Sequence, residues 1–242
     1  IVEEGVEKAY LQSEQNVLIQ SGVRGKGGAQ INAGGSIMAD FIEQAGLISQ
    51  KNVVVSEMIM HSRVDAGEGV YVTGERGLIA GGEIRAGLRV FAREIGSIGA
   101  SDTNIEVGID PKFFRSVAKI EEQIADEREQ LDKVERAINT MASKENRSEE
   151  EDKKYAKLKE TKESLERNIE NHREEQKNLS RRADEREGAE IMCEGTIFGG
   201  TRIGIGNDIY RVRSGKKEHC GFKKINDKVQ QVNYEKPLIP SL

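Results

Sequence analysis

Apolar residues in the first 110 positions recur in one six-step frame: an apolar residue, a small residue two positions on, polar or glycine positions, then a second apolar residue. The frame is seen at Leu11–Val17, Ile31–Ile37, Leu47–Val53, Val64–Val70 and Ile84–Val90, with starts 20, 16, 17 and 20 residues apart. A second apolar or small position follows each frame at Ile19, Ala39, Val55, Val72 and Ala92, and a third at Val23, Ile42, Ile59, Ile79 and Ile95. Alternation with small residues at the corners predicts short strands that turn every few residues. A repeat of this length with three strands per unit predicts a β-helix, because one coil cannot bury its apolar face without neighbours. A meander or sandwich of hairpins is the competing reading, and it does not repeat one frame at such short spacing.

From Pro111 the period changes. Val117, Ile120, Ile124, Leu131, Val134, Ile138 and Met141 follow alternating three- and four-residue steps, broken by Glu127. Tyr155, Leu158, Leu165, Ile169, His172, Leu179 and Ala183 do the same, with Lys162 and Gln176 as polar members. Charged flanks around such a series predict a coiled coil, and the polar stretch 142–150 between the arms predicts an antiparallel hairpin capped by Ser148. Arms of roughly 30 to 38 residues would project about 45–55 Å at 1.5 Å per residue. Glycine placement agrees: 18 glycines fall in residues 1–110, none in 111–187 and 8 in 188–242. Pro111 suits a first helical turn, and Gly188 suits a stop just past the second helix.

The six-step frame returns at Ile191–Ile197 and Ile203–Ile209, so the hairpin is expected as an insertion in the β-helix. This divides the chain into 1–110 (β-helix coils), 111–188 (antiparallel coiled-coil hairpin) and 189–242 (returning coils and capping tail). The tail is expected to lie over the last coil and hide its strand edge.

At this point the sequence resembles a known family. Gly81–Pro111 (GGEIRAGLRVFAREIGSIGASDTNIEVGIDP), Met58–Val72 (MIMHSRVDAGEGVYV) and Gly195–Val212 (GTIFGGTRIGIGNDIYRV) are similar to the flagellar assembly protein A family, FapA. The order of solenoid, charged helical hairpin and short β return covers almost the whole chain. The resemblance implies a right-handed single-stranded β-helix in a bacterial cytoplasmic protein linked to flagellum assembly or positioning. Family members carry a further N-terminal domain, and this chain begins at Ile1 without Met, so it is expected to be the C-terminal portion of a longer protein.

Composition narrows the function classes. Lys and Arg total 37 against 42 Asp and Glu, a net charge of −5, which argues against a general nucleic-acid binder. No run of about 18 apolar residues exists to cross a membrane as a helix. Two cysteines, Cys193 and Cys220, fit a reduced compartment, and no close pair of metal-ligand spacings accompanies them. Six Phe, five Tyr and no Trp leave little for stacking platforms or sugar clefts. His61 reads as a corner residue rather than the general base of a β-helical acyltransferase. His172 occupies a core-type heptad position as a register-setting polar group, with a pH-sensitive hairpin as the alternative. The glycine strings 22–28 and 199–207 lack the Gly-Lys-Ser/Thr ending of a nucleotide loop.

The sequence therefore predicts no catalytic residue, no cofactor and no metal. It predicts a scaffold or adaptor whose hairpin tip, at Lys144, Glu145, Arg147 and Glu149, contacts other proteins. A self-assembling β-helix is the alternative, with a β-helical enzyme or carbohydrate binder behind it.

Overall fold

The computed structural model describes every residue except 100–101, 144–147, 182–185, 214 and 241–242, and only the backbone of 180 and 181. The chain forms two compact units, 1–111 with 184–242, and 112–183. In the first unit β1 (Tyr10–Ser13), β2 (Val17–Leu18), β3 (Val23–Ala33), β4 (Ile37–Ser49), β5 (Asn52–Ala66), β6 (Gly69–Val72), β7 (Leu78–Ala86), β8 (Arg89–Ile95) and β9 (Thr103–Val107) precede the helical unit. After it come β10 (Glu190–Phe198), β11 (Arg202–Ile205), β12 (Asp208–Arg211), β13 (Lys216–Ile225) and β14 (Lys228–Asn233).

Parallel pairing at one-coil spacing makes this unit a β-solenoid. Leu11, Ile31, Leu47, Val64, Ile84, Ile105 and Ile203 stack in one column. Val17, Ile37, Val53, Val70, Val90 and Ile191 stack in a second. Val6, Val23, Ile42, Ile59, Ile79, Ile95 and Ile197 stack in a third. Nearly all are buried, each contributing about 1.5–3 kcal/mol of transfer free energy. One corner shows why glycine belongs there. The Gly67 amide donates to the Ser49 carbonyl at 3.0 Å, and a Cβ on Gly67 would sit 2.1 Å from the Gln50 carbonyl oxygen.

The later frames need correction. Ile191 aligns with Val90 and Ile197 with Ile95, so Ile191–Ile197 spans the second and third columns rather than the first and second. A bulge between Cys193 and Thr196 adds one residue and creates the same six-step spacing by another route. Ile203 does hold the first column, but Ile209 is 49% exposed because β12 turns back antiparallel on β11. The frame also hides Ile105, whose coil runs into Pro111 instead of a second apolar residue.

The C-terminal segment extends the sheet. β13 pairs antiparallel with β10, and β14 with β13, through a two-residue turn at Asn226 and Asp227, both at positive φ (50° and 59°). Val232 and Tyr234 then pack on an outward apolar strip of Val54, Tyr71, Phe91 and Met192. Triplets such as Val53–Val55 and Val70–Val72 carry that signal, since a strand apolar at consecutive positions is buried on both faces.

The second unit holds α1 (Pro111–Ala142) and α2 (Glu149–Arg181), each about 50 Å long at 1.5 Å per residue. Pro111 is the first residue of α1, where its missing amide hydrogen costs nothing. Ser148 and Glu151 cap α2 reciprocally: the Glu151 amide donates to Ser148 Oγ at 3.3 Å, and the Ser148 amide to the Glu151 carboxylate at 3.0 Å. Gly188 sits at φ 75° in the turn before β10, and Arg181 is the last described residue of α2. No helix among the described residues is long and apolar enough to cross a membrane.

Candidate functional site

Three features were candidates for function: the helical unit, the place where the chain leaves and rejoins the solenoid, and the buried thiols. Ile120, Ile124 and Ile169 form the buried centre of the helical unit, with Leu131 and Leu179 partly buried against them. The polar members of the heptad series meet acidic residues of the other helix. His172 Nδ1 lies 3.1 Å from the Glu127 carboxylate, Gln176 donates to Glu121 at 3.0 Å, and Lys162 pairs with Glu135 at 2.7 Å. In the sequence Glu127, His172, Lys162 and Gln176 stand only as polar interruptions, because the offset between helices that pairs them is a tertiary quantity.

Of the predicted contact residues, Lys144, Glu145 and Arg147 lie outside the described residues. Glu149 opens α2 with an exposed carboxylate, 2.9 Å from Lys153 one turn on. Glu149, Glu150, Glu151 and Asp152 place four acids in that first turn, where the positive end of the helix dipole favours them.

Where the solenoid is interrupted, Arg186 joins the strands on either side. Its Nη2 meets Asp110 at 2.9 Å, its Nη1 donates to the Gly67 carbonyl at 2.7 Å, and its amide donates to the Gly108 carbonyl at 2.8 Å. The sequence held no signal for this beyond an Arg near a Gly.

His61 stands exposed at a corner with φ 46°, one coil above Gln44 at φ 49°. The glycine strings run through β3 and β11 rather than a phosphate loop: Gly27 takes φ 76° within β3, and Gly200 and Gly206, at φ 94° and 60°, turn the chain on either side of β11. Cys193 and Cys220 sit directly opposite one another in the β10–β13 pair, both buried as free thiols. Burial first, and then the neighbouring Cys220, pushes the Cys193 thiol up to about 12; burial also raises Cys220. Such thiols are poor nucleophiles. His219 Nδ1 contacts the Glu194 carbonyl at 2.9 Å, and its ring packs on Tyr234 at 4.5 Å. No group of three or more His, Cys, Asp or Glu is arranged to hold a metal among the described residues.

Stacked parallel coils with an inserted helical unit define a β-solenoid protein. The model of the Flagellar Assembly Protein A beta solenoid domain matches residues 1–229, and the chain belongs to that family, FapA. No curated protein and no solved structure matches the chain.

Proposed function

We propose that this chain is a non-enzymatic scaffold or adaptor of the bacterial cytoplasm. A right-handed single-stranded β-helix forms its rigid block, and an antiparallel coiled-coil hairpin is its arm for protein partners in flagellar assembly or positioning. The observation that carries this reading is the ladder of polar contacts between α1 and α2. Glu121, Glu127 and Glu135 ascend α1 while their partners Gln176, His172 and Lys162 descend α2. Glu127, Lys162, His172 and Gln176 hold heptad positions, where a polar group gives up stability to fix one register, which suits an arm that must present a fixed surface.

The C-terminal closure favours an adaptor over a polymer. End-to-end growth needs a complete parallel coil as the terminal rung, whereas β12, β13 and β14 replace that coil with antiparallel hairpins.

The test uses a photo-crosslinking amino acid at Glu149 in the protein expressed in its own bacterium. A defined set of partner proteins is expected to crosslink there, and the same proteins are expected not to co-purify with a variant lacking residues 115–184, joined by a short glycine linker, whose β-sheet circular dichroism is kept. Association of the same proteins with the folded deletion variant would overturn the reading.

A further inference from the structure

The C-terminal closure carries charge of the opposite sign to the rest of the chain. Residues 202–242 hold nine Lys and Arg against four Asp and Glu, in a protein of net charge −5. Arg211, Arg213, Lys216 and Lys217 line one cleft of about 640 Å³ together with Ile209 and Tyr210. Arg211 lies directly opposite Arg202 in the antiparallel β11–β12 pair. Like charges placed so are destabilising unless something compensates them. Glu106 compensates Arg202 through a close ion pair. Arg211 and Arg213 are exposed and have no acidic partner among the described residues. Lys216 has Glu218 at 2.5 Å, and Lys217 donates to Gln231 at 2.7 Å while standing 5.7 Å over the Tyr210 ring.

Beside these cations runs an unpaired strand edge. Among the described residues β12 ladders only with β11 and ends the strand order, with β14 touching it at Asp208 through the Val229 amide and leaving Ile209–Arg211 without a second ladder. An unpaired edge presents backbone donors and acceptors to an extended chain, and alternate side chains of that chain then reach the flanking groups. Ile209, 49% exposed, adds an apolar contact next to them.

We propose that this cleft binds an acidic segment of a partner protein. The segment docks in extended form along β12, with its carboxylates on Arg211, Arg213, Lys216 and Lys217. A guanidinium can hold a carboxylate by two parallel hydrogen bonds, which suits the two arginines to this task. A nucleic acid fits less well. It has no peptide backbone to add to a strand edge, and the one aromatic ring in the cleft is occupied, since Tyr210 packs on Phe222 at 5.1 Å and lies under Lys217.

The experiment is fluorescence anisotropy on the intact chain with a labelled peptide of alternating Glu and Val. Labelled oligothymidine and the matching Lys–Val peptide are run beside it. The Glu–Val peptide is expected to bind in a salt-sensitive way and the Lys–Val peptide not to bind. R211E/R213E is expected to weaken binding by at least about tenfold, as loss of charge-assisted contacts implies. The charge-matched control K51E/R76E, on the solenoid coils, should stay within about twofold of the unaltered chain. R211Q/R213Q serves if the charge reversal unfolds the closure, and it should also lose most of the binding. Tighter binding of oligothymidine, or equal loss in the control, would overturn the proposal. So would undiminished binding by folded R211Q/R213Q. The hairpin variant lacking 115–184 should bind the peptide normally, which separates this site from the arm.

Discussion

Arg186 and Asp110 form an ion pair at 2.9 Å at the point where the solenoid is interrupted and resumed. The same guanidinium reaches the Gly67 carbonyl, in a corner stacked below Gly87. A solenoid corner can be replaced by a long insertion if the two ends are held together, because loop-closure entropy rises only slowly with length. Arg186 supplies that closure. R186A is expected to lower stability by roughly 1–2 kcal/mol, the loss of a partly exposed ion pair and a charged hydrogen bond to a carbonyl. R186K should recover only part, since one ammonium does not reproduce the two-pronged contact. Urea midpoints of the three chains check this.

Gly67 and Gly188 should respond differently to alanine. A Cβ at Gly67 would meet the Gln50 carbonyl oxygen at 2.1 Å, so the coils must part, at about 2–4 kcal/mol. At Gly188 nothing among the described residues lies within 4 Å, and the cost is the strain of φ 75°, about 1 kcal/mol. Thermal melts of G67A and G188A should rank them in that order.

Glu127 and His172 should be energetically coupled. Their side chains are 16% and 23% exposed, and each is a polar member of its helix's apolar series. A double-mutant cycle on E127A and H172A, followed by helical circular dichroism of the intact chain in urea, should give a coupling of about 1 kcal/mol. Additive effects would remove the register-setting role.

Asp208 should make the closure sensitive to acid. The Val229 amide donates to its carboxylate at 2.7 Å, and with Lys228 holds its pKa below the ordinary 3.8. A depressed carboxylate contributes stability above its unfolded value and loses it as the pH falls through the folded one. D208N should therefore be less stable than the unaltered chain at neutral pH, with the gap closing only below the ordinary carboxylate range. Hydrogen-exchange protection of the Val229 amide at several pH values checks the sign.

Much of the solenoid was legible because burial repeats. Ile31, Leu47, Val64 and Ile84 each need an apolar neighbour one coil away, and that demand writes the frame into the chain. The frame misled after the insertion because a spacing of six arises both at a corner and at a bulge, and only pairing with Val90 and Ile95 separates the two. The outer strip of Val54, Tyr71, Phe91 and Met192 was written in consecutive apolar residues, yet what covers it was not.

The amino-acid sequence by itself determined the coil repeat, the helical interruption and the absence of glycine within it, since these follow from local periodicity and backbone freedom. Tertiary structure alone decided which polar groups meet: Glu127 with His172, Arg186 with Asp110 and Gly67, Arg211 opposite Arg202. Those pairings span up to 119 residues and depend on register and on where the insertion closes. A hydrogen bond forms between whichever partners packing brings within about 3 Å, and packing is a property of the whole fold.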